Sequence, residues 1–207
     1  MITMIQFKLT FKNLLQWIAV SSFIILAGLI LFIRFSPYQV ENGTTQKAIK
    51  NEVIINCPVE TAFDYMSSDD NMKNKLEYLD HTKTIKSASK DNSYGKITRF
   101  FCNSDEKGQC YDGMVIGSVQ NKKRKIKLYN FVEFPLSFDE ITNEQNFKKL
   151  TNSSCKLTFK LLYQHKNIGV WNEIKAQLSS YRVKNIISKE LKNIKFELEK
   201  QILLEKF

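Results

Sequence analysis

The sequence predicts an α+β domain, a curved antiparallel sheet wrapped around a long C-terminal helix, carried behind one N-terminal transmembrane helix. Three observations predict it. Near the start, the 21 residues from Asn13 to Ile33 carry no charge. Through the middle of the chain, turn signals recur about every ten residues. From Asn172 to Lys206 there is no Pro or Gly, and apolar residues recur at steps of three and four. The 207 residues suit one ordinary domain plus an anchor, and an apolar content of 43% allows a packed core. With only three prolines and seven glycines, long disordered linkers are not expected.

The charge-free run is bracketed by Lys12 and Arg34. At about 1.5 Å per residue it reaches roughly 30 Å, the thickness of a bilayer's hydrocarbon core. Trp17 near one end, and Phe35 and Tyr38 near the other, are suitable interfacial aromatics. The alternative is a cleaved secretory signal, with a shorter apolar stretch that ends in a small-residue A-x-A site. Here Leu31-Phe32-Ile33-Arg34 follows instead, with Pro37 soon after, so the segment reads as an uncleaved anchor. Residues 1–12 are then a tail, 13–35 the transmembrane helix, 36–46 a linker and 47–207 the globular domain. Lys8, Lys12 and the amino terminus on one side balance Arg34, Lys47 and Lys50 on the other. The positive-inside rule therefore does not choose an orientation.

Beyond position 40 the chain holds 28 basic and 21 acidic residues. A tethered basic domain sits beside an anionic lipid surface, where each nearby Lys or Arg adds on the order of 1 kcal/mol of attraction. Nucleic-acid binding is the other reading of positive charge, but no motif supports it. The densest cluster is Lys122-Lys123-Arg124-Lys125. It reads either as a solvated turn between two strands or, at Lys122, Lys123 and Arg124, as a membrane-surface contact. The four cysteines, Cys57, Cys102, Cys110 and Cys155, form no C-x-x-C pair and lie far from His81 and His165, so no metal site is expected. No motif calls for a cofactor. Cys102 and Cys110 flank a turn-rich stretch and would face each other across a hairpin. A disulfide there requires an oxidising compartment, and free thiols are the default reading.

Within the domain, Val53-Ile54-Ile55 reads as a strand that Cys57-Pro58 breaks. Pro at a helix start is well tolerated, and Val59 to Met66 fits a short helix with Ala62, Phe63 and Met66 on one face. Ser67-Ser68-Asp69-Asp70 ends it, and a second short helix follows over 71–79. Strands are then expected over Thr82–Ser87, Lys96–Cys102, Cys110–Val119, Lys125–Val132, Asn143–Leu150 and Cys155–Gln164, with turns at Asp91-Asn92-Ser93, Gly108, Asn121-Lys122 and Thr151-Asn152-Ser153. On the last helix Val183, Ile187, Leu191, Ile194, Leu198 and Ile202 make one stripe. It needs a surface to cover, and the curved sheet is the large one available.

This order resembles the START-related superfamily (SRPBCC), also described as polyketide-cyclase-like or helix-grip. The residues that carry the resemblance are Val53 to Met66, Ser93-Tyr94-Gly95 with the strand that follows, Gly108 and the C-terminal helix. In place of the usual Ala before Pro58 stands Cys57, and Cys110 stands where a second Gly is common. The resemblance implies a START-like domain in a helix-grip fold, with a hydrophobic small molecule or lipid as partner, held between sheet and helix. Candidate lining residues are Ile97, Phe101, Met114, Ile116, Phe159 and Leu161 on strands, with Ile187, Leu191 and Ile194 on the helix. The same residues would serve a filled core equally well. A protein-interaction or chaperone-co-regulator module is the alternative. A cyclase- or hydrolase-like enzyme is a second alternative, and its acid or base would come from Asp80, His81, Asp112, Glu133 or His165.

Overall fold

The computed structural model describes residues 2–40, 47–68, 79–87, 94–133, 140–164 and 170–204. The chain forms two compact units, Met1–Ser36 and Pro37–Phe207. The first is one helix, α1 (Ile2–Arg34). It extends back through the expected tail, because Ile2 to Lys12 contains no helix breaker. Its stretch Phe11–Arg34 is long and apolar enough to cross a membrane. The hydroxyls of Ser21 and Ser22, costly in hydrocarbon, donate to the carbonyls of Trp17 and Ile18 at 2.6 and 2.8 Å.

The second unit runs β1 (Gln39–Val40), β2 (Lys47–Ile55), α2 (Val59–Ser67), β3 (His81–Lys86), β4 (Ile97–Phe101), β5 (Cys110–Val119), β6 (Lys123–Val132), β7 (Glu140–Lys149), β8 (Cys155–Gln164) and α3 (Val170–Leu204). The strands form one antiparallel sheet in the order β1-β2-β8-β7-β6-β5-β4-β3. The two-residue β1 was not expected; it is too short to show a period. The expected helix over 71–79 and the turn at 91–93 fall almost wholly outside the described residues. Pro58 sits at the N-cap of α2 with extended backbone (φ −54°, ψ 148°), where its missing N–H costs nothing.

Three register shifts bend the sheet. They fall between Thr84 and Lys86, between Cys110 and Asp112, and between Val115 and Gly117. Asn130 (φ 54°), on β6 beside the second shift, and Asn121 (φ 57°), in the β5–β6 turn, take left-handed backbone that Asn tolerates. Gly108 (φ 79°) does the same in the β4–β5 turn, where an added Cβ would also stand 3.0 Å from Asn103 Nδ2.

Each strand turns alternate residues to an inner face, toward α3, and to an outer face. Asn51 identifies the inner face of β2, because its Nδ2 donates to Ser188 Oγ on α3 at 2.5 Å. The pairings carry that face across the sheet. One row is Ile49, Leu161, Asn143, Ile126 and Val115; the next is Tyr163, Ile141, Leu128, Gly113 and Thr98.

A helix with its side chains is about 10–12 Å wide, and strands lie about 4.8 Å apart. One helix therefore covers two or three strands of this sheet. α3 lies along β2. Its stripe, Ile187, Leu191, Ile194 and Leu198, packs with Ile49, Ile55, Leu157 and Phe159 in the main core, and Phe63 and Met66 of α2 join them. Phe63 meets Phe147 edge-on at 5.2 Å. Over β4 and β5 a separate cluster forms from Leu79, Phe100 and Tyr111. There Phe100 stacks on Tyr111 at 4.8 Å, and Tyr111 on Phe131 at 5.7 Å. Gly113 makes this stack possible, since a Cβ there would stand 2.7 Å from Phe100 Cε2.

The outer face is polar. Lys123 and Lys125 reach Glu144 at 2.9 and 2.7 Å, and Lys127 reaches Glu140 at 2.8 Å. Asp112 is 3% exposed. It accepts two bonds from Arg99, at 2.7 and 2.9 Å, and one from Asn130 Nδ2 at 3.0 Å. The Arg99 guanidinium holds the Asp112 carboxyl below the usual carboxylate range, against the effect of burial.

Three outcomes follow for the full chain in nanodiscs. Leu191→Ala, in the main core, should cost about 2–5 kcal/mol in denaturant unfolding. Gly113→Ala should cost about 1–3 kcal/mol by displacing Phe100, and a value near zero would show that the ring is not held there. Because its folded pKa is depressed, Asp112 stabilises the fold above the unfolded value of about 3.9, and that contribution is lost as pH falls through the folded value. The stability gap between wild type and Asp112→Asn should be wide at neutral pH and narrow at the acid end of the titration; an unchanged gap would refute the ion-pair account.

Candidate functional site

Between the two packed clusters lies the inner face of β5, β6 and β7. Its floor is the cross-strand pair Val115 and Ile126, each 7% exposed and part of neither cluster among the described residues. Leu128 and Phe131 are half-buried and touch both clusters. Asn143 follows Ile126 in the same row, with Leu161 on its other side. Asn143 Oδ1 is enclosed and has no hydrogen-bond partner among the described residues.

One end of this face is closed by charge and by α2. Arg124, expected on the surface with Lys122 and Lys123, is instead 3% exposed and points inward. Its guanidinium donates to the Met66 carbonyl at the end of α2 and to Gln145 Oε1. A cation at a helix C-terminus meets the negative end of the helix dipole and carbonyls that lack helical partners. The correction has a simple cause: in a strand, every second residue of a basic run points inward. Lys122 stays exposed in the turn, and Lys123 is held by Glu144. On the inner side, burial pushes the Tyr65 phenol up to about 12 and the Tyr163 phenol up as well, so both remain neutral hydroxyls.

The expected lining residues divide between the two faces. Phe159, Leu161, Ile187, Leu191 and Ile194 come together in the main core. Ile97 pairs with Met114 on the outer face, and Phe101 lies there too, stacked on His81 at 4.8 Å. Ile116 sits in the register shift between Val115 and Gly117. The residues that sequence reasoning missed are Val115, Ile126, Leu128 and Asn143. Strand alternation would have found them had Gly113 been read as an inward position.

The acid–base candidates among the described residues lie away from the inner face. Asp112 is locked to Arg99 on the outer side. His81, also outside, has Nδ1 2.9 Å from Asp80 and Nε2 3.5 Å from Glu106. Glu133 is exposed at the end of β6, and His165 lies outside the described residues. All four cysteines are free thiols. Contact with Cys155, together with burial, pushes the Cys57 thiol up.

No family model and no curated protein matches the chain. Solved structures match it in shape. Norcoclaurine synthase from Thalictrum flavum superposes with a TM-score of 0.58 at 14% identity, over 82% of this chain and all of that one. An aromatase/cyclase from a Streptomyces species gives 0.58 at 9% identity, over 75% of this chain and 94% of its own. A START superfamily protein from Mycobacterium smegmatis gives 0.53 at 13% identity, over 76% and 97%. At such identities the likeness concerns backbone architecture. Together with the sheet order and the long closing helix, it shows that the described part of the second unit has a helix-grip fold like that of these structures.

Proposed function

We propose that this chain is a membrane-tethered domain that binds a hydrophobic small molecule or lipid between its sheet and its C-terminal helix. The observation that carries this reading is the inner face at Val115 and Ile126: apolar, shielded from water, and outside both packed clusters. Ligand sites are concave and mostly apolar, with a few placed polar groups, and Asn143 would be such a group. The shared architecture with an aromatase/cyclase and with norcoclaurine synthase supports a fold suited to small organic molecules. Tethering through α1 would place the site beside a membrane, where apolar molecules are concentrated. In this reading Lys122, exposed in the β5–β6 turn, is the basic residue left to meet an anionic headgroup.

The bidentate pair with Arg99 holds the Asp112 carboxylate on the outer face, away from the proposed site. Organic extraction and mass spectrometry of the purified Pro37–Phe207 unit should release an apolar compound near one per protein. Val115→Trp, which would fill the floor, should lower that amount severalfold while unfolding cooperatively. A clean apo protein that also ignores a panel of phospholipids, sterols and quinones would refute the reading.

A further inference from the structure

Asn143 carries the inference furthest. Its Oδ1 is enclosed without a hydrogen-bond partner among the described residues, on a row where Ile126 and Leu161 flank it and Val115 lies two strands away. Gln145, the next inward residue along β7, is already engaged: Arg124 donates to its Oε1 and to the Met66 carbonyl. A buried acceptor left unsatisfied costs roughly 1–3 kcal/mol. That cost is removed when an occupant of the apolar space brings a donor. A charged donor would have to leave water for an apolar floor, which is more expensive than moving a neutral hydroxyl or N–H. We infer that the site selects an apolar molecule bearing a neutral hydrogen-bond donor, a hydroxyl above all, and that Asn143 Oδ1 accepts from it. This rests on the ligand-binding reading above and adds the chemical class of the ligand.

Two matched probes separate the two claims. 2-Naphthol has a donor, while 2-methoxynaphthalene has the same ring system and only an acceptor. Their affinities are measured for the full chain in nanodiscs, wild type against Asn143→Leu, so that partition into lipid cancels between the proteins. Measured relative to Asn143→Leu, the wild-type preference for the naphthol over the ether should be about tenfold, the worth of one buried hydrogen bond. Asn143→Leu should lose that preference while binding the ether at least as well. Asn143→Asp, which keeps an acceptor, should retain a preference for the naphthol. The same naphthol-to-ether affinity ratio in wild type and Asn143→Leu would overturn the donor inference and leave the apolar site standing. Failure of both compounds to bind wild type would overturn the ligand-binding reading itself.

Discussion

A single helix is too narrow to cover this sheet, and most of the domain's structure follows from that mismatch. α3 lies along β2 and buries Ile187, Leu191, Ile194 and Leu198 against β2 and β8. Strands β4 to β6 must hide their inner face by other means. The register shifts in β5 and β6 curve the sheet toward the helix. Phe100, Tyr111 and Phe131 stack into a second cluster, and Gly113 yields the volume that Phe100 occupies. What remains between the two clusters is the Val115–Ile126 floor. The candidate site is thus a consequence of geometry before it is a matter of chemistry.

The polar groups follow the same division. On the outer face, water and ion pairs serve: Lys123, Lys125 and Lys127 with Glu144 and Glu140, and Arg99 with Asp112. On the inner face, the charge of Arg124 is buried where the end of a helix receives it, at the Met66 carbonyl. Breaking a buried cation from its partners costs more than the pair itself stabilises, so Arg124 binds α2 firmly to the sheet. Asn143 has no such arrangement: unlike Gln145, two residues along the same strand, its Oδ1 has no hydrogen-bond partner among the described residues.

Much of this was legible in the sequence, because the strongest signals are local. The α3 stripe, the Pro58 break before α2 and the turn at Gly108 each depend on a few neighbouring residues. The strands from β3 to β8 fall where the turn signals placed them, within about three residues. The facing of the strands was much less legible. In β5 both parities are apolar, Met114 and Ile116 against Tyr111 and Val115, and the register shift after Val115 breaks any simple count. Phe100 and Phe101 are adjacent aromatics on opposite faces, so composition cannot rank them. Arg124 sits in a basic run that reads as surface, and its carbonyl partner lies 58 residues away. Facing depends on contacts between distant segments, which a periodicity does not contain.

The central claim is that an apolar molecule sits on the inner face of β5 to β7. Photo-crosslinking with an apolar diazirine-bearing ligand, followed by peptide mapping, tests it most directly. Adducts are expected at Val115, Ile126, Leu128 or Asn143, suppressed by excess unlabelled ligand. Adducts confined to α1 or to the outer-face residues Ile97 and Met114, or none that competitor displaces, would contradict it.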